Sequence, residues 1–445
     1  MHTSTLDLLR CPYCGGRLDL VTSLFHQIDG DEIHDGILGC HCCIFPVVAG
    51  IPVLHLQSAA TSARDHVQAG HPELARRTMF GLEDERQAEA FDATARSTTA
   101  TYRDLVEALG PNFEGGYFLY RFSDPTYVVA DAVVRAVAGR VLATGGRAVD
   151  ICGGSGHLTR SLVGLGSAPP VLADLYFAKV WLGRRFTAPG CEAICCDGNA
   201  PMPFARGAFR LAMCVDAFMY IWTKRQFVAD LVRLIDNEDH DHRAHRDHGV
   251  RHPGDDAGAR REGRLDDLGG EPGAVLIGHT HNELEWCPSH GQPLSPAGYR
   301  DLFETIDPRI FGESGLFADV VKGGPLDLSR RDAEDVVNHE VALTIIASRR
   351  ADVFQPHPIE APRANGELRV NPLYAAEQEG EQVRFRLRFS SDDYEQEYGA
   401  CREYLPETVV LDRRTLAAIS EGRVPADLED LVRRRVIVDL PRRYY

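Results

Sequence analysis

The chain has 445 residues, 44% of them hydrophobic, and a formal net charge of −17. That length exceeds one ordinary core and predicts three or four units, and no apolar run reaches the length of a membrane span. The acidic balance argues against long RNA or DNA as a partner, which selects a basic footprint, and favours a small molecule or a protein. Twelve cysteines, with no basic start and apolar stretch over Met1 to Arg10, point to reduced thiols, bound metal and a cytoplasmic setting.

Cys11-Pro12-Tyr13-Cys14 and Cys40-His41-Cys42-Cys43 are two C-x-x-C knuckles separated by a β-rich segment. Two such turns supply four thiolates to a tetrahedral zinc, and a site closed by four protein ligands is structural, because catalytic zinc keeps a position for water. The spacing favours Cys11, Cys14, Cys40 and Cys43 as the Zn2+ ligands, with His41 and Cys42 as alternatives for the last. With Leu6 to Arg10 before and Phe45 to Leu54 after, the segment resembles the small zinc-ribbon family that activates tRNA methyltransferases. The resemblance covers residues 1–57, and because metal binding supplies much of the folding energy of such small ribbons, losing the zinc is expected to unfold the chain up to about Leu54 and to spare the domain that follows.

Residues 58–140 read as helical, with Leu105-Val106 and Ala108-Leu109 on one face and Val128-Val129, Ala132-Val133-Val134 and Val137 entering the core. The aromatic cluster Tyr117-Phe118-Leu119-Tyr120-Arg121-Phe122 is either a lid and acceptor-pocket wall or ordinary packing of this helical layer.

Four apolar segments then end in acids. Ala148 to Ile151 runs into Cys152-Gly153-Gly154-Ser155-Gly156, Pro170 to Leu175 contains Asp174, Cys191 to Asn199 contains Asp197, and Phe209 to Asp216 ends on an acid. Strands alternating with helix-length segments predict a parallel sheet with ligand atoms at its C-terminal edge. Glycines in the first turn allow close approach, and a carboxylate roughly 20 residues on can accept from ribose hydroxyls. A dinucleotide loop would carry its third glycine where His157 stands, which argues against a dehydrogenase. This order resembles the class I S-adenosylmethionine-dependent methyltransferases. The resemblance implies an α/β fold with a doubly wound, seven-stranded Rossmann-like sheet. It also implies S-adenosyl-L-methionine held by Asp150, Cys152, Gly153, Gly154, Ser155 and Gly156, with ribose on Asp174 beside Leu175. Adenine would lie beside Asp197, Gly198 and Asn199, and Asp216 would border the methyl donor. Cys152 stands where that family usually has glycine.

Asp236 to Gly273, rich in His, Arg and Asp, lacks the apolar residues of a core and is expected to be a loop insertion. Ala274 to Gly278 reads as the fifth strand and delivers His279 and His281 to the rim, where a neutral imidazole can take the proton lost by a methyl acceptor. A divalent ion or a structural hydrogen bond is the alternative for this pair. Tyr220 is the second candidate near the methyl donor, and Trp222 is expected in the core. Ser295 to Ile306 reads as a helix, with Leu316 to Val321 and Val341 to Ser348 as the last two strands of a domain over 141–350. Val383 to Phe389 alternates as a half-buried strand within a C-terminal α+β accessory region, 351–445. Its arginines form either a solvated face or a patch for an anionic partner.

Together these readings favour a methyltransferase with an N-terminal zinc ribbon and a helical lid, acting on O or N of a small-molecule biosynthetic intermediate. Bacterial ribosomal-RNA guanine methyltransferases also couple a zinc element to this domain, so RNA methylation is the second reading. A non-catalytic, cofactor-binding adaptor is the third.

Overall fold

A computed structural model describes residues 1–21, 25–110, 118–236, 272–287, 291–359, 366–424 and 426–445. Tyr117, and residues 237–271 of the insertion expected over Asp236 to Gly273, lie outside the described residues. The N-terminal segment forms an antiparallel sheet of β1 (Asp19–Leu20), β2 (Gln27–Asp29), β3 (Glu32–Gly39), β4 (Ile44–Val48) and β5 (Ile51–Pro52). The turn between β3 and β4 carries the second knuckle, closed by the Cys40 N–H donating to the Cys43 carbonyl at 3.0 Å.

Helices come next, as the apolar spacing predicts: α1 (Ser58–Gln68), α2 (Pro72–Phe80), α3 (Glu85–Arg96), α4 (Tyr102–Leu109) and a long helix, Pro125–Val141. Local chemistry sets their starts. Thr101 and Asp104 form a capping box on α4, and Asp124 caps the long helix ahead of Pro125 by accepting from the Tyr127 N–H at 2.6 Å.

The central sheet contains β6 (Ala148–Ile151), β7 (Val171–Asp174), β8 (Glu192–Cys195), β9 (Leu211–Val215), β10 (Ala274–His281) and β11 (Pro308–Gly312). It is completed by β13 (Ala342–Ser348), in the order β11-β13-β10-β9-β6-β7-β8. Pairing is parallel from β8 through β10, and β13 alone runs against its neighbours β10 and β11. Every residue of β6 to β9 is buried, as expected for strands covered on both faces. The expected strand over Leu316 to Val321 is instead part of the helix Glu313–Lys322, and the strand is Pro308–Gly312. A short apolar run does not distinguish helix from strand. The signal that decides it is Gly323, which ends the helix in the left-handed conformation at φ 84°.

The ribbon is not a separate unit. Val53 pairs in parallel with Cys195, and the Leu54 N–H donates to the Cys195 carbonyl at 2.7 Å, so the ribbon covers the β8 edge of the central sheet. Leu8, Leu9, Phe45 and Leu54 share one apolar core with Val149, Ile151, Val171 and Ile194 of that sheet.

The C-terminal region pairs β12 (Leu326–Asp327) with β14 (Pro356–His357) and β15 (Glu367–Val370) with β19 (Ile437–Leu440). It also folds β16 (Tyr374–Glu379), β17 (Gln382–Leu387) and β18 (Thr408–Asp412) into a small sheet. In β17, Val383 and Phe385 point inward while Arg384 pairs with Glu379 at 2.7 Å and Arg386 with Glu377 at 3.2 Å. These two arginines are therefore neutralised across the hairpin. The region is fastened to the helical layer and the central domain by buried polar contacts. Tyr404 donates its hydroxyl to the Ser123 carbonyl at 2.6 Å, Arg160 pairs with Asp439 at 2.9 Å, and the Tyr444 hydroxyl lies 2.7 Å from His157 Nε2. Tyr404→Phe leaves that carbonyl unsatisfied and is expected to cost about 1–3 kcal/mol. Urea titration should show a lowered midpoint with an unchanged slope. Among the described residues no helix is long and apolar enough to cross a membrane.

Candidate functional site

Three non-glycine residues stand in the left-handed backbone region at the C-terminal ends of three neighbouring strands: Cys152 (φ 60°) after β6, Asp216 (φ 57°) after β9 and His279 (φ 45°) in β10. Each such conformation costs on the order of 1–3 kcal/mol and persists only where the surroundings impose it, typically at functional sites. For His279 the cause is visible. The pairing of β10 with β13 slips between Ile277 and Thr280, and this irregularity re-aims the imidazole. Cys152 and Asp216 flank the point where strand order reverses, the crevice in which doubly wound sheets bind ligands, and His279 lies one strand further out.

On one side of the crevice, the loop after β6 turns through Gly153, Gly154 and Gly156. A Cβ on Gly153 would come within 2.7 Å of the Asp150 carboxylate and 2.6 Å of Leu172, whereas Gly154 faces open space. Asp150 lies beneath the loop, 1% exposed, and accepts from the Thr159 hydroxyl at 2.6 Å; burial raises its carboxyl to about 7. It supports the cradle from below rather than facing a ligand. Asp174 accepts from the Gly154 N–H at 3.0 Å and the Tyr176 N–H at 2.9 Å, which leaves further acceptor capacity on the carboxylate. Asp197 accepts from the Asn199 N–H at 2.8 Å, and Asn199 Oδ1 accepts from the Trp222 N–H at 2.6 Å. The loops after β8 and β9 are thus tied together. Trp222 is 63% exposed rather than in the core, because the chain leaves the sheet after β9 and presents Tyr220 and Trp222 on the rim.

On the other side of the crevice lies a charge network. Arg121, buried, donates to Asp216 at 2.8 Å and to Asp124 at 3.4 Å. Burial, only partly offset by Arg121, raises the Asp124 carboxyl to about 6. His279 Nδ1 lies 2.6 Å from Glu313 Oε2, the His279 backbone N–H donates to Glu313 Oε1 at 2.9 Å, and Thr344 donates to the same oxygen at 2.8 Å. Burial works against protonation of His279, but the Glu313 carboxylate outweighs it and raises the imidazole to about 9. His279 is therefore a cation at neutral pH and cannot be the resting base. His281, whose ring centroid is 5.5 Å from that of His279, is shifted the opposite way by burial and by the charged neighbour, so it stays neutral. Sequence reasoning placed both histidines at the rim but missed Arg121, Asp124 and Glu313. Of these, Asp124 was signalled by its cap position before Pro125. Glu313 carried no sequence signal, since it meets His279 only through the β11–β13–β10 pairing.

The knuckles bring together the thiols of Cys11, Cys14, Cys40 and Cys42, all within 4.8 Å of one another. Sulfur separations of 3.6 Å (Cys11–Cys42), 3.7 Å (Cys14–Cys40) and 3.6 Å (Cys40–Cys42) match the roughly 3.8 Å edge of a tetrahedron with Zn–S near 2.3 Å. The donor set fits a structural zinc. The fourth thiol is that of Cys42 rather than Cys43, which adjoins β4, is half-buried against the shared core and lies 3.3 Å from Cys42 Sγ.

No protein-family model and no curated protein matches the chain. Solved structures overlap it over about half its length. A putative methyltransferase from Bacillus halodurans is 13% identical over 48% of this chain and 95% of its own, with TM-score 0.26. The geranyl diphosphate C-methyltransferase of Streptomyces coelicolor A3(2) is 13% identical over 47% and 73%, with TM-score 0.31. A chain from the complex between the Haloferax volcanii Trm112 methyltransferase activator and a putative methyltransferase is 14% identical over 50% and 89%, with TM-score 0.30. Overlaps this weak say nothing about substrate, which has to be read from this chain's own residues.

Proposed function

We propose that the protein is an S-adenosylmethionine-dependent methyltransferase acting on O or N of a small molecule. The observation that carries this is the alignment of three strained residues, Cys152, Asp216 and His279, on the ends of β6, β9 and β10, facing one crevice. The cradle of Gly153, Gly154, Ser155 and Gly156 would hold the amino-acid end of the cofactor, Asp174 and Leu175 the ribose, and Asp197, Gly198 and Asn199 the adenine. S-adenosylmethionine bound there supplies an electrophilic methyl group. His281 would take the acceptor's proton on a ring nitrogen, while His279, held cationic by Glu313, donates a hydrogen bond and Tyr220 lines the rim. The net charge of −17 and the paired arginines of β17 weigh against RNA as acceptor.

Incubating the full chain with methyl-labelled S-adenosylmethionine and a small-molecule cell extract tests the reading. Label moving into a metabolite is the expected result. Label that stays on the cofactor would leave a non-catalytic adaptor, and label on RNA would replace the substrate class. Asp174→Ala should weaken cofactor binding by about 1.5–3 kcal/mol, roughly 10- to 150-fold, through lost charged hydrogen bonds; equilibrium dialysis measures it.

A further inference from the structure

A cavity of about 1090 Å³ lies between the long helix Pro125–Val141 and the C-terminal region. That is room for a small organic molecule, since ligand sites typically enclose roughly 300–1,000 Å³. Neither the glycine loop nor the ends of β7 to β10 line it, so it is separate from the crevice. The helix offers it one face, on which Val128, Ala132, Ala136 and Gly139 recur at three- and four-residue spacing. Side chains this small hold the helix off from the opposite wall, which includes Leu368 and Val432. Ala132, Ala136, Leu368 and Val432 are therefore only partly buried, where a close-packed contact would cover them.

Most charges on the wall are committed. Arg135 and Arg435 both pair with buried Asp131, at 2.8 and 3.1 Å, and Arg433 pairs with Asp430. Glu429 is exposed to water. Arg140 differs. It is half-buried on the same helix face and has neither a hydrogen bond nor an ion pair among the described residues. Asp352, the acid on which its charge acts, is held instead by Arg350 at 2.7 Å.

We propose that this cavity is a second ligand site, for a molecule with an apolar body and a single anionic group. The anionic group accepts from the guanidinium of Arg140, whose fork of donors suits a carboxylate, phosphate or sulfonate, and the body fills the space between the helix and the C-terminal region. A cationic ligand is disfavoured, because Asp131 and Asp430 are already neutralised by arginines. The site stands whatever reaction the crevice performs.

The test titrates the full-length protein with anilinonaphthalene sulfonate, an aromatic body with one anionic group that fluoresces on leaving water. Phenylnaphthylamine, the same body without the sulfonate, is the uncharged control. The wild type should bind the sulfonate at one saturable site and more tightly than the control. Arg140→Gln should weaken the sulfonate roughly 10- to 150-fold, the usual loss with a hydrogen bond to a charged group, and leave the control unchanged. Ala136→Trp, which fills the cavity from the helix side, should remove both, and excess S-adenosylhomocysteine should displace neither. Equal sulfonate affinity in wild type and Arg140→Gln overturns the proposal. So does displacement by S-adenosylhomocysteine, which would put the dye in the crevice, or wild-type binding by folded Ala136→Trp. If Ala136→Trp does not fold, the Arg140→Gln comparison decides alone.

Discussion

His281→Ala is expected to lower turnover about 10²- to 10⁴-fold, the usual loss with a general base, while S-adenosylhomocysteine binds almost as tightly as to the wild type. The separation comes from position, since His281 lies at the end of β10 and the glycine cradle succeeds β6, with β9 between them. The two histidines also set a pH profile. His281, held below the usual histidine value of 6.5 by burial and by cationic His279, becomes competent as pH rises through that lower range. His279, raised to about 9, loses its charge as pH climbs through about 9. The rate should therefore be bell-shaped, and His279→Gln should abolish the alkaline limb, while the residual rate of His281→Ala should lose the acid limb. The same shift bears on stability. A group whose folded value lies above its unfolded value stabilises fully below the unfolded value, so the His279–Glu313 contribution is complete below pH 6.5 and fades as pH rises through about 9. Denaturant titrations on either side of that window should show the decline, and Glu313→Gln should remove it. Equal turnover by wild type and His281→Ala would move the base to Tyr220.

The double substitution Cys11→Ser with Cys14→Ser is expected to abolish zinc binding and unfold the ribbon, because structural zinc in such small elements contributes on the order of 10–16 kcal/mol at neutral pH. The damage should spread. The ribbon covers the β8 edge and shares a core with β6, β7 and β8, so unfolding it uncovers apolar surface and leaves a strand edge open. Elemental analysis should fall from one zinc per chain to none, thermal unfolding should shift markedly downward, and the protein should become prone to association. Because Tyr13 of the first knuckle accepts from the Leu56 N–H at 3.2 Å and lies near Asp197, cofactor affinity should weaken as well. A variant that keeps its zinc, or loses zinc while unfolding like the wild type, contradicts this account. Cys42→Ser against Cys43→Ser should further show that Cys42 is the fourth ligand.

The central sheet was legible because β6 to β9 are short apolar runs, each ending beside an acid at the crevice, and the first of them runs into Gly153, where a side chain would collide with Asp150 and Leu172. The helical layer was legible from apolar spacing. Leu316 to Val321 was misread because six residues with apolar ends suit either period. The ribbon's independence was misread because Val53 meets Cys195 142 positions later, and sheet extension leaves no local mark. The roles of the histidines were invisible for the same reason. His279 and His281 look alike in sequence, and only Glu313, brought across by strand pairing, makes one a cation and leaves the other a base.

The central claim is that the crevice at the ends of β6, β7, β8 and β9 is an S-adenosylmethionine site. Isothermal titration of the full-length protein with S-adenosylhomocysteine tests it most directly. One site per chain, a clear heat of binding and strong weakening in Asp174→Ala are the expected results. No heat with S-adenosylhomocysteine, or saturable binding of NADH in its place, would contradict it.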